Sequence, residues 1–89
     1  MRIFKYQLEH VYDQELDLPA EARILSVGDQ HGKIQLWALV NPNAPLQERK
    51  FLVAGTGHHI DRPPQDLSFL GSVIQYDGSL VFHVFEVTK

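Results

Sequence analysis

Cysteine is absent from this sequence, and tryptophan and methionine occur only once each. Without cysteine the chain forms neither a disulfide nor a thiolate metal site. It also lacks an apolar stretch of the ~20 residues that a transmembrane helix needs. Its first residues follow a strand-like pattern rather than that of a signal peptide. We therefore expect neither a membrane-spanning segment nor a cleaved leader.

Basic residues are also fewer than acidic residues. The 89 residues include 8 Lys and Arg against 11 Asp and Glu, which gives a net charge of −3, and the pI is near 5.9. Duplex DNA and RNA are bound through basic surfaces, so this balance argues against such a partner. Hydrophobic residues make up 44% and charged residues 21%, as in globular proteins, and the length fits one domain over residues 1–89.

Alternation of polar and apolar residues predicts β-strands along most of the chain. Strands are expected at 2–8, 14–18, 24–28, 33–40, 49–54, 69–76 and 80–87. The strand at 33–40 is apolar on both faces, which predicts a central strand or one at a subunit interface. Leu46–Gln47–Glu48, after the breaker-rich Asn41–Pro45, is expected to form at most one helical turn.

Two turn sequences join neighbouring strands. Asp29–Gln30–His31–Gly32 reads as a turn in which glycine supplies a positive φ. Asp77–Gly78–Ser79 lies between two apolar runs, and Asp-Gly in that setting is a strong hairpin signal. Six or seven short strands without a two-turn helix indicate an all-β protein. We predict a small antiparallel β-sandwich or a partly open barrel with a C-terminal Asp-Gly hairpin.

Four stretches of the chain carry a family resemblance. They are Ile24-Leu25-Ser26-Val27, Leu36-Trp37-Ala38-Leu39-Val40-Asn41-Pro42, Gly55-Thr56-Gly57-His58 and Leu80-Val81-Phe82-His83-Val84-Phe85-Glu86. Together they resemble a family of small bacteriophage proteins of unknown function, over most of the chain. The resemblance implies an accessory protein in the bacterial host cytoplasm. Phage proteins of this size often counter host defence by binding a protein or by sequestering a nucleotide signal.

The segment over residues 55–62 concentrates residue types that bind anions. Its glycines let backbone N–H groups approach a ligand, and its threonine, histidines and arginine add side-chain donors. A plain turn with solvated side chains would also explain the composition. His58, His59 and Asp61 offer metal-ligating side chains that a loop could bring together, but adjacent histidines on a strand point to opposite faces. We predict no metal and no other cofactor. The candidate ligand-binding residues of this segment are Gly55, Thr56, Gly57, His58, His59 and Arg62.

Trp37 and His83 complete the predicted ligand site. Trp37 is a candidate stacking platform for a base, and His83 is a candidate wall of a pocket beside the segment. Burial in the core would also account for each of them. The chain has no cysteine nucleophile, no Gly-x-Ser-x-Gly elbow and no P-loop, so no enzyme activity is predicted. His58 with His83 is the one pair suited to acid–base cleavage of a phosphodiester.

The expected function is non-catalytic binding and sequestration of an anionic small ligand such as a nucleotide signal. A homo-oligomer is expected, because a chain this short can hardly cover strands that are apolar on both faces. The alternative is a protein-interaction module that masks a host factor through a sheet edge or through an acidic segment. That segment, Glu9 to Glu21, holds five acidic residues and no Lys or Arg.

Overall fold

The computed structural model describes all residues, 1–89, and most of them lie in seven β-strands. The helical segments are two short 3-10 turns, Pro64–Asp66 and Tyr76–Gly78. Neither is long or apolar enough to cross a membrane. The strands are β1 (Arg2–Leu8), β2 (Asp13–Pro19), β3 (Arg23–Gln30), β4 (Lys33–Val40), β5 (Leu46–Gly55), β6 (Leu67–Gln75) and β7 (Leu80–Val87).

The seven strands form two sheets. One sheet has three strands in the order β1–β4–β3, and the other has four in the order β2–β5–β7–β6. Every paired strand is antiparallel to its neighbour. The sheets do not close into a barrel, so the all-β prediction is confirmed in its sandwich form.

Short connections carry the chain from one sheet to the other. β2 passes into β3 through residues 20–22, and β4 passes into β5 through residues 41–45. Because β2 pairs with β5 and β3 pairs with β4, these four strands form one long ribbon that bends between the sheets. At the bend the backbone N–H of Ala20 donates to the carbonyl of Pro45 at 2.8 Å.

The core lies between the sheets and follows the alternation of the strands. Every second residue of β4 is fully buried, whereas Trp37 between them is half-buried on the outer face. β4 is the central strand of its sheet, as its apolar residues on both faces predict. The main core cluster consists of Leu8, Leu18, Ala22, Ile34, Leu36, Ala38, Val40, Phe51, Val53, Val73 and Val84.

Both predicted turns are present. His31 and Gly32 have φ values of 57° and 78° and form the tight turn between β3 and β4. Asp77 and Gly78, with φ values of 54° and 92°, lie in the turn between β6 and β7. The two positive φ values of the first turn match the right-handed twist of paired strands. The second turn is longer, spans residues 76–79 and has a further positive φ of 50° at Tyr76. The C-terminal Asp-Gly hairpin is thereby confirmed.

The prediction of a helical turn at Leu46–Gln47–Glu48 is wrong. β5 already begins at Leu46, because its first residues pair with the end of β2. Leu46 lies opposite Pro19, and Glu48 lies opposite Asp17. The partner strand β2 is remote in sequence, so the local composition around Leu46 does not indicate this pairing.

The two sheets meet where β3 lies against β6. Pairing of β6 with β7 shifts by a bulge between Phe69 and Gly71. Gly71 has a φ of 153°, and a Cβ atom there would come within 2.8 Å of the Cγ2 atom of Val27. Glycine is therefore needed at this position for both backbone conformation and space.

A half-buried ion pair joins β5 to β7. The guanidinium of Arg49 donates to the two carboxylate oxygens of Glu86 at 2.6 and 2.8 Å. It also donates to the carbonyl of Ala22 beside the bend. The hydrogen bond to Glu86 raises the pKa of Arg49, so the guanidinium stays charged.

Candidate functional site

The segment that joins β5 to β6 folds back over the outer face of the four-stranded sheet. β5 and β6 are not neighbours, because β7 lies between them, so the connection has to pass β7. Ile60 packs on a small cluster of buried residues on this outer face. That cluster consists of Leu52, Ala54 and Val87, with Tyr12, Leu67 and Phe85 at its margin. Apolar contact therefore holds the middle of the segment to the sheet.

Hydrogen bonds fasten the segment to the start of β2. The hydroxyl of Tyr12 donates to Asp61 Oδ1 at 2.8 Å and accepts from the backbone N–H of Asp61 at 3.1 Å. Desolvation raises the pKa of the Tyr12 phenol, and the bond from Tyr12 lowers the pKa of Asp61. Asp61 therefore stays ionised until the pH falls through its lowered pKa, and Tyr12 stays protonated until the pH rises through its raised pKa. The hydrogen bond between them persists over the pH range between these two limits.

Replacing Tyr12 with phenylalanine tests this attachment. Tyr12→Phe keeps the ring and removes both hydrogen bonds to Asp61, so we expect backbone amides of residues 57–62 to exchange with solvent several-fold faster. Hydrogen exchange followed by mass spectrometry measures this. Tyr6→Phe is the matched control, because the Tyr6 hydroxyl makes no side-chain hydrogen bond. Equal exchange in the two variants would contradict the attachment.

Arg62 forms an ion pair with the first residue of β2. One of its terminal nitrogens donates to Asp13 Oδ1 at 2.8 Å, and this bond raises the pKa of Arg62. The Arg62 Nε atom is buried and has no hydrogen-bond partner. A guanidinium carries five N–H donors. The contact with Asp13 uses one of them, so the group keeps capacity to bind a second acceptor.

An apolar cleft opens beside Arg62, and we call it the Phe69 cleft. It has a volume of about 410 Å³. Phe69 is 60% exposed, and its ring packs on that of Phe85 with ring centroids 5.4 Å apart. The cleft thus combines aromatic surface with one cationic side chain. Its lining residues are Ile60, Arg62, Pro64, Leu67, Phe69 and Phe85.

His83 lies on the same outer face, and the structure brings it against the predicted segment. Its Nε2 atom is 2.7 Å from the hydroxyl of Thr56, and its Nδ1 atom is 2.8 Å from the hydroxyl of Ser72. A hydroxyl can donate or accept, so either ring tautomer is satisfied. His83 thus contacts the Gly55–Arg62 segment through Thr56, but it lines neither the Phe69 cleft nor the cleft beside His58, so its role as a pocket wall stays a prediction.

The Gly55–His58 turn is closed by its own groups. The N–H of His58 donates to the carbonyl of Gly55 at 3.0 Å, and the N–H of Gly55 donates to His58 Nδ1 at 3.2 Å. The His58 ring leans over Gly55, where a Cβ atom would come within 3.2 Å of it. A cleft of about 470 Å³ lies between this turn and the start of β7. Gly57, with a φ of 90°, has open space where a Cβ would stand.

Trp37 does not join the other predicted site residues. It alternates with fully buried residues of β4, so its ring lies on the outer face of the three-stranded sheet. The ring packs against Gly28 of β3, where a Cβ would lie 3.5 Å from the indole. His83 alternates with the buried Val84 and lies on the outer face of the other sheet. The thickness of the sandwich separates the two residues.

The remaining predicted residues make few contacts with the rest of the protein. His59 is exposed and makes no side-chain hydrogen bond. No group of three or more His, Asp or Glu side chains stands close enough together to hold a metal ion.

The acidic segment, Glu9 to Glu21, runs through β2, which is an edge strand. Asp13, Glu15 and Asp17 are its exposed alternate residues.

Sequence reasoning missed the contacts that orient the segment. Tyr12 and Asp13 each lie 49 positions from their partners, Asp61 and Arg62. Alternation predicts that Phe69 lies in a strand and does not mark it as a site residue. The sequence offers one signal for it, a large aromatic residue two positions before Gly71, which marks a bulge.

The fold and the site together define a small antiparallel β-sandwich with a polar segment fastened across one outer face. The chain belongs to the family described as a domain of unknown function, DUF7352, whose model matches residues 1–89. The predicted membership of an uncharacterised family is confirmed, and the phage origin stays a prediction. Comparison with curated proteins and with solved structures found no match.

Proposed function

We propose that this domain binds a small anionic ligand, such as a nucleotide signal, on the outer face of the four-stranded sheet and does not act on it chemically. One observation carries the proposal. Arg62 is fastened beside a cleft by a single bond to Asp13, and its side chain is 31% exposed, which leaves terminal N–H donors open to a ligand. Fixed geometry limits the conformational entropy lost on binding. A guanidinium with free donors is suited to phosphate or carboxylate.

Further donors lie along the same segment. The backbone N–H of Gly57 makes no backbone hydrogen bond, and the imidazole of His58 borders the neighbouring cleft. The hydroxyl of Thr56 is exposed beside His83. These groups supply hydrogen bonds but no permanent charge. Arg62 therefore provides the electrostatic part of anion binding.

Substitutions at Arg62 and Asp13 should change affinity in opposite directions. Arg62→Ala removes the cation, and we expect calorimetric binding of a mononucleotide such as AMP to become undetectable. Asp13→Asn keeps an oxygen acceptor for Arg62 and removes the competing negative charge, so AMP should bind about threefold to tenfold more tightly. Equal affinity of both variants and the wild-type chain would contradict the proposal.

The setting we propose is that of a phage accessory protein in the host cytoplasm, where binding sequesters the ligand. A homo-oligomer is part of this proposal. The outer face of the three-stranded sheet bears the exposed side chains of Ile3 and Leu25 and the half-buried Trp37 and Leu39. Cover by a second copy would remove this apolar surface from water. Native mass spectrometry with and without AMP gives both the subunit number and the ligand stoichiometry.

A second candidate function is masking of a host protein through β2. The supporting observation is that β2 is an edge strand whose outward residues are all acidic. An edge strand offers unpaired backbone groups to a partner strand, and the carboxylates favour a basic partner. Glu15→Lys with Asp17→Lys leaves Asp13 and Arg62 intact. This variant should keep nucleotide binding under the first proposal and lose partner binding under the second.

A further inference from the structure

The Phe69 cleft has the composition of a base-binding subsite. We infer that the ligand is a nucleotide whose base stacks on Phe69 while its phosphate binds Arg62. The inference rests on the proposed function and adds a planar base to the anion. It assigns a role to Phe69 and gives the aromatic contact to this residue instead of Trp37.

The exposure of Phe69 is the first support for this inference. Phe69 is 60% exposed although it is a large apolar side chain on a strand. One side of its ring packs against Phe85, with the two rings inclined by 57°. Base–aromatic stacking requires an accessible ring held in place, because a mobile ring loses entropy on binding. Phe85 provides that support, because it lies in β7 directly opposite Phe69.

The position of Arg62 is the second support. Arg62 and Phe69 both line the cleft, so an anion on the guanidinium and a ring on Phe69 can belong to one molecule. The remaining lining residues, Ile60, Pro64 and Leu67, are apolar and offer no hydrogen-bonding side chains. The volume of about 410 Å³ lies in the range of small-molecule sites. A purely inorganic anion would leave this apolar surface unused.

The lack of polar groups around Phe69 also predicts how selective the subsite is. No amide, hydroxyl or carboxylate side chain lines the cleft to read the edge of a base. Stacking accepts any planar base, with stronger binding of the larger purine rings. We therefore expect a preference for purine over pyrimidine nucleotides without sharp discrimination between adenine and guanine.

Phe69→Ala is the central test, with AMP and ribose 5-phosphate as probes. Wild type should bind AMP about tenfold more tightly than ribose 5-phosphate, because stacking adds to phosphate binding. Phe69→Ala should remove that difference while leaving the affinity for ribose 5-phosphate unchanged. Ile74→Ala is the matched control, because Ile74 lies on the same strand, is 63% exposed and does not line the cleft.

Calorimetric titrations with AMP and ribose 5-phosphate distinguish the base subsite from the anion site. Equal binding of AMP and ribose 5-phosphate to wild type would overturn the base subsite and leave the anion proposal standing. An equal effect of Phe69→Ala and Ile74→Ala on AMP affinity would also overturn it. Failure of every probe to bind wild type would overturn both proposals. Loss of AMP affinity in Phe69→Ala alone, with ribose 5-phosphate unaffected, supports the inference.

Discussion

Replacing Gly71 with valine should lower the free energy of unfolding by about 3 kcal/mol, since the substitution both overpacks a tight contact and forces an unfavourable backbone conformation. A Cβ on residue 71 would lie 2.8 Å from Val27 Cγ2, at a φ of 153°. Because β3 and β6 belong to different sheets, the clash would push the two halves of the sandwich apart. Urea unfolding followed by tryptophan fluorescence measures the change.

Two further variants separate the clash from the backbone conformation. Gly78→Ala places a Cβ in open space at a φ of 92°, so its cost comes from conformation alone. Val27→Ala removes the atom that meets residue 71, so combining it with Gly71→Ala should cost less than the two single changes added together. Strict additivity would show that close approach of the sheets does not require glycine.

Replacing Arg49 with methionine should lower the free energy of unfolding by about 2 kcal/mol, because it leaves the Glu86 carboxylate half-buried without a partner. The side chains of both residues are 18% exposed, which is too little for water to replace the lost bonds fully. The carbonyl of Ala22 at the bend also loses a donor. Thermal and urea unfolding at neutral pH measure the loss.

The matching variant removes both charges. Arg49→Met combined with Glu86→Gln leaves no unpaired charge, so we expect it to regain more than half of the stability lost in Arg49→Met. The bend between β2 and β3 would still lack its donor to Ala22, and full recovery is not expected. If Arg49→Met alone were as stable as wild type, the ion pair would have no part in holding β5 to β7.

Most strands could be predicted from alternation because each one directs every second residue into the core between the sheets. The four buried positions of β4 have the required period of two, and its bounds match those predicted. Sheet membership could not be obtained in this way. β1 pairs with β4 rather than with its neighbour β2, and the start of β5 depends on the remote Pro19. Such pairings leave no local pattern.

The candidate site was predicted in composition but not in arrangement. Glycine, histidine and arginine mark the segment as unusual, whereas the direction of Arg62 depends on Asp13, which lies 49 positions away. Strict alternation puts Phe69 on the same face as the buried Val73. The bulge between Phe69 and Gly71 reverses that parity and exposes the ring. A one-residue shift of register therefore decides whether this side chain is core or site.

The most direct test of the account is a nuclear magnetic resonance titration of the isotope-labelled chain with AMP. Binding as proposed should shift the amide signals of residues 56–62 and those of Phe69 and Phe85, together with the guanidinium signal of Arg62. The indole signal of Trp37, on the opposite outer face, should not move. Shifts that cluster at Trp37 or along β2 beyond Asp13, or no shifts at all, would contradict the account.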